Sequence, residues 1–135
     1  MTTLDHVTLR TSHVAVTRQF FIDLFNLKEG SRPLEIQHIS GCWLYSGEEP
    51  IVHLIESFDG GFSIDGEMID HIAFRLDDYS SFMSKIRMRN IPFSQMSLKE
   101  LGEHRVFLRA PGGQLIETVF RGDAAKVAFA ENKGT

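Results

Sequence analysis

The sequence has little of what several common classes of protein require. It contains a single cysteine, Cys42, which cannot form an internal disulfide and whose apolar neighbours predict a buried strand thiol. No apolar run approaches the roughly 20 residues of a membrane-spanning helix. The net charge is −4 and no cluster of Lys and Arg is present, so electrostatic binding to nucleic acid is not expected. No charged-then-apolar leader is visible, and we expect a cytoplasmic protein without membrane or nucleic-acid partners.

What the sequence does contain is an internal repeat. A segment near the start returns 65 positions later: Leu4-Asp5-His6-Val7-Thr8-Leu9-Arg10 corresponds to Ile69-Asp70-His71-Ile72-Ala73-Phe74-Arg75. Both copies alternate as a strand does, and both keep a histidine within an apolar pattern. A chain of 135 residues is long enough for one domain with one core, so the two halves are expected to share it.

Each half also repeats the same order of elements, a strand, a helix and three strands. Strand patterns span 4–10 and 69–76, and helical spacing of apolar residues spans 14–27 and about 78–89. Further strands are predicted at 34–39, 42–45, 51–56, 93–96, 104–109 and 114–120, with a turn at Pro111-Gly112-Gly113. The Gly- and Asp-rich stretch 58–66 is predicted to connect the halves.

These patterns predict an α+β domain over residues 1–121, made of two βαβββ modules at about 3–57 and 68–121. The remaining residues, 122–135, are expected to form a tail in which Val127 and Phe129 could pack as a short helix or against a partner.

Strand periodicity places four polar side chains together. Residues two apart on a strand share a face, so His6 and His71 lie opposite the apolar side chains that the helices cover. Alignment of 51–55 with 115–119 puts His53 opposite Glu117. A carboxylate inside an apolar strand requires a cation or several hydrogen bonds, and imidazole and carboxylate are common metal ligands. The sequence therefore predicts a divalent metal site of His6, His53, His71 and Glu117.

With these residues in place, the chain resembles the vicinal oxygen chelate superfamily, which includes glyoxalase I, extradiol dioxygenases, and fosfomycin and bleomycin resistance proteins. The resemblance covers about residues 3–121. It is carried by the two repeat copies, the helix end Phe25-Asn26-Leu27, the strand Ile51-Val52-His53-Leu54-Ile55-Glu56, and the segment Arg109-Ala110-Pro111-Gly112-Gly113-Gln114-Leu115-Ile116-Glu117. It implies a U-shaped mixed sheet around one central metal ion, with His53 at the position of a fourth ligand in glyoxalase I.

The resemblance also implies a reaction. One divalent ion (Ni, Zn, Mn, Fe or Co) would chelate two neighbouring oxygens of a small substrate and stabilise the enediolate formed when an adjacent proton leaves. This is glyoxalase-like lyase or isomerase chemistry, in which Glu117 and His53 are the candidate catalytic residues. The candidate substrate-binding residues are Arg10, Thr8, Trp43 and Arg105. A homodimer is expected, partly because a half-open sheet leaves apolar surface and strand edges to cover.

Two other functions stay open. His6, His71 and Glu117 also form the two-histidine, one-carboxylate triad of non-haem Fe(II) enzymes, which would make the protein an extradiol-type dioxygenase. Relatives of the bleomycin resistance type bind a drug without chemistry, although they generally lack the metal ligands. Three of the candidate substrate-binding residues also have alternative roles. Arg10 could form a salt bridge at the rim, Trp43 could pack in the core, and Arg105 could have an edge-strand role.

Overall fold

The computed structural model describes residues 1–57, 69–109 and 115–133. These residues form β1 (Thr3–Thr11), α1 (Val14–Phe25), β2 (Lys28–Gly30), β3 (Gly41–Ser46), β4 (Glu49–Glu56), β5 (Ile69–Arg75), α2 (Tyr79–Met88), β6 (Ser94–Leu98), β7 (Glu103–Arg109), β8 (Leu115–Arg121) and α3 (Gly122–Glu131). The order contains β-α-β-β-β twice, which confirms the predicted α+β class. The predicted connection at 58–66 and the turn at 111–113 lie outside the described residues.

The chain divides into two compact units, and the division falls inside β1 and β5. The first unit is His6–His71, and the second combines Met1–Asp5 with Ile72–Thr135. The boundary therefore falls between Asp5 and His6 in the first copy of the repeated motif, and directly after His71 in the second copy. The predicted module bounds, about 3–57 and 68–121, stay a prediction.

The first unit holds strands in the order β2-β3-β4-β1. β1 and β4 run parallel, and the other two pairs are antiparallel. The predicted division of faces is observed: Val7 and Leu9 pack with Phe21 of α1 on a core that contains Leu44 and Leu54. The opposite face of β1 carries His6 and Thr8, which are also buried.

The second unit holds strands in the order β5-β8-β7-β6, with β8, β7 and β6 successively antiparallel. α2 begins at the N-cap Asp78, whose side chain accepts a hydrogen bond from the Ser81 backbone N–H. Tyr79 and Met83 of α2 pack on Phe120 of β8. Residues 122–131 form α3, a short helix of the kind expected as one arrangement of this tail; Ala125 and Ala128 are buried, and Ala128 belongs to this core.

Two local predictions in the first unit are wrong. The segment predicted as a strand at 34–39 begins with a 3-10 helix at Leu34–Ile36, because Pro33 precedes it and the apolar Leu34 points to solvent. The strand after α1 is instead the short β2, whose polar, exposed residues give no apolar pattern. α1 also ends two residues early, at Phe25, because Asn26 adopts the left-handed conformation that closes a helix.

Within the described part of the chain, no helix is long and apolar enough to cross a membrane.

Candidate metal centre

Strand register in the first unit aligns three of the predicted site residues in one row. Thr8 of β1 faces His53 of β4, and His53 faces Trp43 of β3. Directly paired residues of neighbouring strands project to the same side of a sheet, so this row lies on the face that also carries His6. All four side chains are buried.

Three of these rings form a continuous stack. Trp43 and His53 are parallel within 10°, with ring centroids 4.0 Å apart, and His53 and His6 are parallel within 17° at 3.8 Å. The His53 Nε2 atom lies 3.0 Å from the Pro50 carbonyl oxygen. Because a carbonyl only accepts, Nε2 donates and carries the hydrogen, which leaves Nδ1 as the nitrogen that can accept a proton or a metal when the ring is neutral.

The stack bears on which histidines could bind one ion together. An imidazole binds metal through a lone pair in the plane of its ring, at about 2.0–2.1 Å for zinc. Two rings stacked face to face have lone pairs in nearly parallel, separate planes, so both cannot point at one ion at that distance. As arranged, His6 and His53 are therefore poor partners in a single coordination sphere.

His71 has a different relation to His6. Its ring meets His6 edge to face, at 82° with centroids 5.6 Å apart. The His71 Nδ1 atom lies 2.8 Å from Asp70 Oδ2, and Nε2 lies 3.0 Å from the Thr8 hydroxyl. An ionised carboxylate only accepts, so Nδ1 donates to Asp70, and in the neutral ring Nε2 then accepts from the Thr8 hydroxyl. The nitrogen with the lone pair is thus Nε2.

Asp70 is held from a second side by Arg10. Its Oδ1 accepts from Arg10 Nε at 3.0 Å and from Nη2 at 2.6 Å. The pKa of Asp70 is lowered, first by the hydrogen bond from His71 and then by the one from Arg10, and burial opposes this. Arg10 therefore forms the rim salt bridge considered as its alternative role, and contact with substrate stays a prediction.

In the second unit, Glu117 is a buried carboxylate with a buried cation beside it. Arg105 of β7 lies diagonally across the β7/β8 pair from Glu117, since Phe107 is the direct partner of Glu117 and Val119 that of Arg105. Arg105 Nη1 donates to Glu117 Oε1 at 3.2 Å, and Nη2 donates to Glu103 Oε1 at 2.7 Å. Burial alone would lower the pKa of Arg105, but the charges of the two glutamates raise it.

The ion pairs continue beyond Arg105. Arg121 Nε lies 2.9 Å from Glu103 Oε2, and Arg121 Nη2 lies 3.3 Å from Asp5 Oδ1. Asp5 Oδ1 also accepts from Arg75 Nη2 at 2.9 Å. An alternating series of three cations and three carboxylates therefore ends at Glu117.

The two units repeat one ion pair. Arg10 pairs with Asp70 in the first unit and Arg75 pairs with Asp5 in the second, so the arginine of each repeat copy binds the aspartate of the other copy. The sequence patterns assigned no role to these aspartates or to Glu103, Arg75 and Arg121. Both the aspartates and the arginines recur at the same offset as the histidines, and that recurrence could have identified their pairing.

The predicted site residues are thus distributed between the units. The first unit brings together His6, His53, His71, Thr8, Arg10 and Trp43, and the second brings together Glu117 and Arg105. His104, the neighbour of Arg105, is buried and bonded to Ser97 Oγ and Gln95 Oε1 at 2.8 Å each. Burial lowers the pKa of His104.

Residues 3–118 match the model of the Glyoxalase/Bleomycin resistance protein/Dioxygenase superfamily, and the chain belongs to this family. No curated protein sequence matches the chain. Solved structures share its fold. A hypothetical protein, BH1468 from Bacillus halodurans C-125, is 20% identical with a TM-score of 0.65, and the match covers 90% of this chain and 96% of that one.

Two enzymes are among the similar structures. Methylmalonyl-CoA epimerase from Mycobacterium tuberculosis is 20% identical, with a TM-score of 0.62 and coverage of 93% of this chain and 90% of that one. The 2,3-dioxygenase LapB from Pseudomonas sp. KL28 is 15% identical, with a TM-score of 0.68; the match covers 87% of this chain but 40% of that protein. At these identities the likeness establishes the fold alone.

Proposed function

We propose that the protein is a divalent-metal-dependent enzyme that chelates two neighbouring oxygens of a small substrate and isomerises it by proton transfer. The observation that carries the proposal is the arrangement of His71. Its Nδ1–H is fixed on Asp70 and its Nε2 lone pair lies on the side of the buried Thr8 hydroxyl, with His6 edge-on beside it. This is the orientation of a metal-binding histidine.

We propose His6, His71 and Glu117 as the ligands, because each offers one ligand atom. The donor set suits the ion: two imidazoles and one carboxylate are borderline and hard ligands that accept Zn, Ni, Mn, Fe or Co. Glu117 is almost fully buried in the second unit, and Arg105 stabilises its ionised form, which is the form that binds a cation. A divalent ion bound there would act as a Lewis acid that stabilises negative charge on a deprotonated substrate.

In this proposal His53 accepts the substrate proton and does not bind the ion. Its Nε2–H donates to the Pro50 carbonyl, which fixes the tautomer with the basic lone pair on Nδ1. Stacking between Trp43 and His6 fixes the plane of the ring. Glu117 then acts mainly as a ligand, because a carboxylate paired with Arg105 is a weaker proton acceptor than an unpaired one.

The similarity to a methylmalonyl-CoA epimerase supports proton transfer next to a carbonyl group. The arrangement of His53 also supports a second candidate function, that of a dioxygenase. Because His53 is not oriented to bind the ion, the remaining ligands His6, His71 and Glu117 form the three-ligand triad of non-haem iron oxygenases. The similarity to a 2,3-dioxygenase agrees with that alternative.

One paired assay separates the candidates. Protein reconstituted with Ni, Zn, Mn, Co or Fe(II) is incubated in D₂O with the methylglyoxal–glutathione hemithioacetal or methylmalonyl-CoA, and exchange of the carbon-bound proton is followed by NMR. In parallel, oxygen uptake is measured with catechols. We expect exchange that His71→Ala abolishes. Oxygen uptake without exchange would establish the dioxygenase, and tight metal or ligand binding without either reaction would favour a binding protein.

A homodimer and a cytoplasmic location stay predictions. The apolar side chains that α1 exposes at four-residue spacing, Val16, Phe20 and Leu24, support the dimer, because they form one stripe along the helix. A mass measured by light scattering at micromolar concentration decides between monomer and dimer.

A further inference from the structure

We infer that Asp70 is a positioning residue, which fixes the tautomer of His71 and thereby determines how strongly the protein binds its metal. The inference rests on the proposed metal site and adds to it a residue outside the coordination sphere. It involves residues of the first unit only: Arg10, Asp70, His71 and Thr8.

The first step concerns the two nitrogens of His71. A neutral imidazole places its hydrogen on either Nδ1 or Nε2, and only the nitrogen without hydrogen can bind metal. Asp70 Oδ2 lies 2.8 Å from Nδ1, so the carboxylate selects the form with hydrogen on Nδ1. Without Asp70, the Thr8 hydroxyl could accept a hydrogen from Nε2 as readily as donate one, and the selection would be lost.

The second step concerns the rigidity of Asp70. Its Oδ1 accepts two hydrogen bonds from Arg10, so Oδ2 is left for His71 and rotation of the carboxylate is restrained. The Asp70 side chain is about seven-eighths buried but Arg10 is about half exposed, so the pair restrains the carboxylate while its own net contribution to stability is small. The series Arg10–Asp70–His71 therefore orients the ring and increases its basicity toward a cation.

The third step concerns the position of Asp70 directly before His71 in the chain. The side chains of neighbouring strand residues point to opposite faces, which would separate an aspartate from the histidine that follows it. Here the Asp70 carboxylate reaches the Nδ1 edge of His71, the edge nearest its own backbone. Nε2, at the far end of the ring, is then directed away from the strand.

Two measurements test the inference. In the metal-free protein, the ¹⁵N chemical shifts of the His71 ring report the tautomer directly; we expect hydrogen on Nδ1 in the wild type and a mixture or the opposite form in Asp70→Ala. Competition titration with Zn²⁺ and Co²⁺ reports affinity; we expect Asp70→Ala to lose about 10- to 100-fold, the usual effect of removing an outer partner of a ligating histidine.

Two variants make the titration specific. Asp70→Asn keeps a carbonyl acceptor for Nδ1–H and is expected to retain the tautomer and recover most of the affinity. Arg10→Gln breaks the ion pair but leaves the Asp70–His71 bond, and is expected to lose less than about threefold, as a surface pair contributes little. If Asp70 had only a structural role, Arg10→Gln and Asp70→Ala would instead lower the metal affinity by similar factors.

The outcomes distinguish this inference from the proposed function. If the wild type does not bind metal, the proposed function fails, whereas the tautomer still tests the role of Asp70. If the wild type binds metal and Asp70→Ala matches it within about twofold with the same tautomer, the positioning role is overturned. Should Asp70→Ala not fold, hydrogen on Nε2 in the wild type or in Asp70→Asn would overturn it equally.

Discussion

The ring of His53 lies face to face with the ring of His6, at a centroid distance of 3.8 Å and an angle of 17°. Aligned with the repeat, His53 is the position at which a fourth metal ligand is expected. Face-to-face stacking and the hydrogen bond to Pro50 instead suit a ring that supports His6 and exchanges protons. If His53 is a metal ligand, its substitution should weaken metal binding; if His53 transfers protons, its substitution should stop proton exchange.

We expect His53→Phe to retain metal affinity within about threefold, because phenylalanine preserves the stack with Trp43 and His6 while removing both nitrogens. Proton exchange in the substrate should be lost. Isothermal titration with Zn²⁺ and the D₂O assay measure the two properties. Loss of affinity as large as that of His71→Ala would identify His53 as a ligand.

We expect Thr8→Val to raise metal affinity by about two- to tenfold. The Thr8 hydroxyl donates to His71 Nε2, the atom that would bind the ion, so this hydrogen bond must break when the ion enters. A typical hydrogen bond contributes about 0.5–1.5 kcal/mol net, and valine keeps the shape of this buried side chain. Weaker binding by Thr8→Val in the same titration would mean that the hydroxyl supports the bound ion.

We expect Arg105→Ala to lower the free energy of unfolding by about 3–5 kcal/mol, because it leaves Glu103 and Glu117 buried without this cation. Urea denaturation of the metal-free protein measures the change. Arg18→Ala, which breaks an exposed pair with Glu29, is the matched control and should cost less than about 1 kcal/mol. Similar losses for both variants would show that the buried ion-pair series contributes little to stability.

We expect stability to fall as the pH decreases below about 6.5, with His104 as one cause. Burial lowers the pKa of His104 in the folded state, so between that pKa and the unfolded value near 6.5 the unfolded chain binds more protons. Its contribution is complete above the unfolded pKa and is lost as the pH falls toward the folded pKa, by up to about 1.4 kcal/mol per pH unit.

Urea denaturation at pH 8, 6 and 5 tests this dependence. His104→Gln removes the titrating ring and should unfold with a smaller pH dependence than the wild type. Equal slopes for the two proteins would contradict the assignment to His104.

Much of the fold of this protein could be predicted from the repeated motif. Strand alternation alone placed His6 opposite Val7 and Leu9, and these two apolar residues pack with Phe21 of α1 while His6 is buried on the other face. This works because the side-chain period of a strand is two, so a face can be assigned from spacing. The repeat also predicted the order β-α-β-β-β in each half, which the elements follow, whereas the family was recognised from the resemblance of the motifs.

The sequence patterns gave wrong predictions where the apolar side chains have no regular spacing. β2 is three polar, exposed residues, and the helical turn at Leu34–Ile36 follows from Pro33 rather than from burial, so apolar spacing predicted a strand in the wrong place.

The partners of the polar side chains could not be predicted from the sequence, because they depend on tertiary contacts. Asp5 and Asp70 occupy equivalent places in the sequence, yet one binds Arg75 and Arg121 while the other holds His71 and Arg10. Likewise, spacing made His53 equivalent to Glu117, and packing put His53 in a stack of rings and Glu117 beside a buried cation. Spacing assigns a side chain to a face, but hydrogen bonds and ring contacts depend on distances of a few ångströms between segments far apart in sequence, which only folding sets.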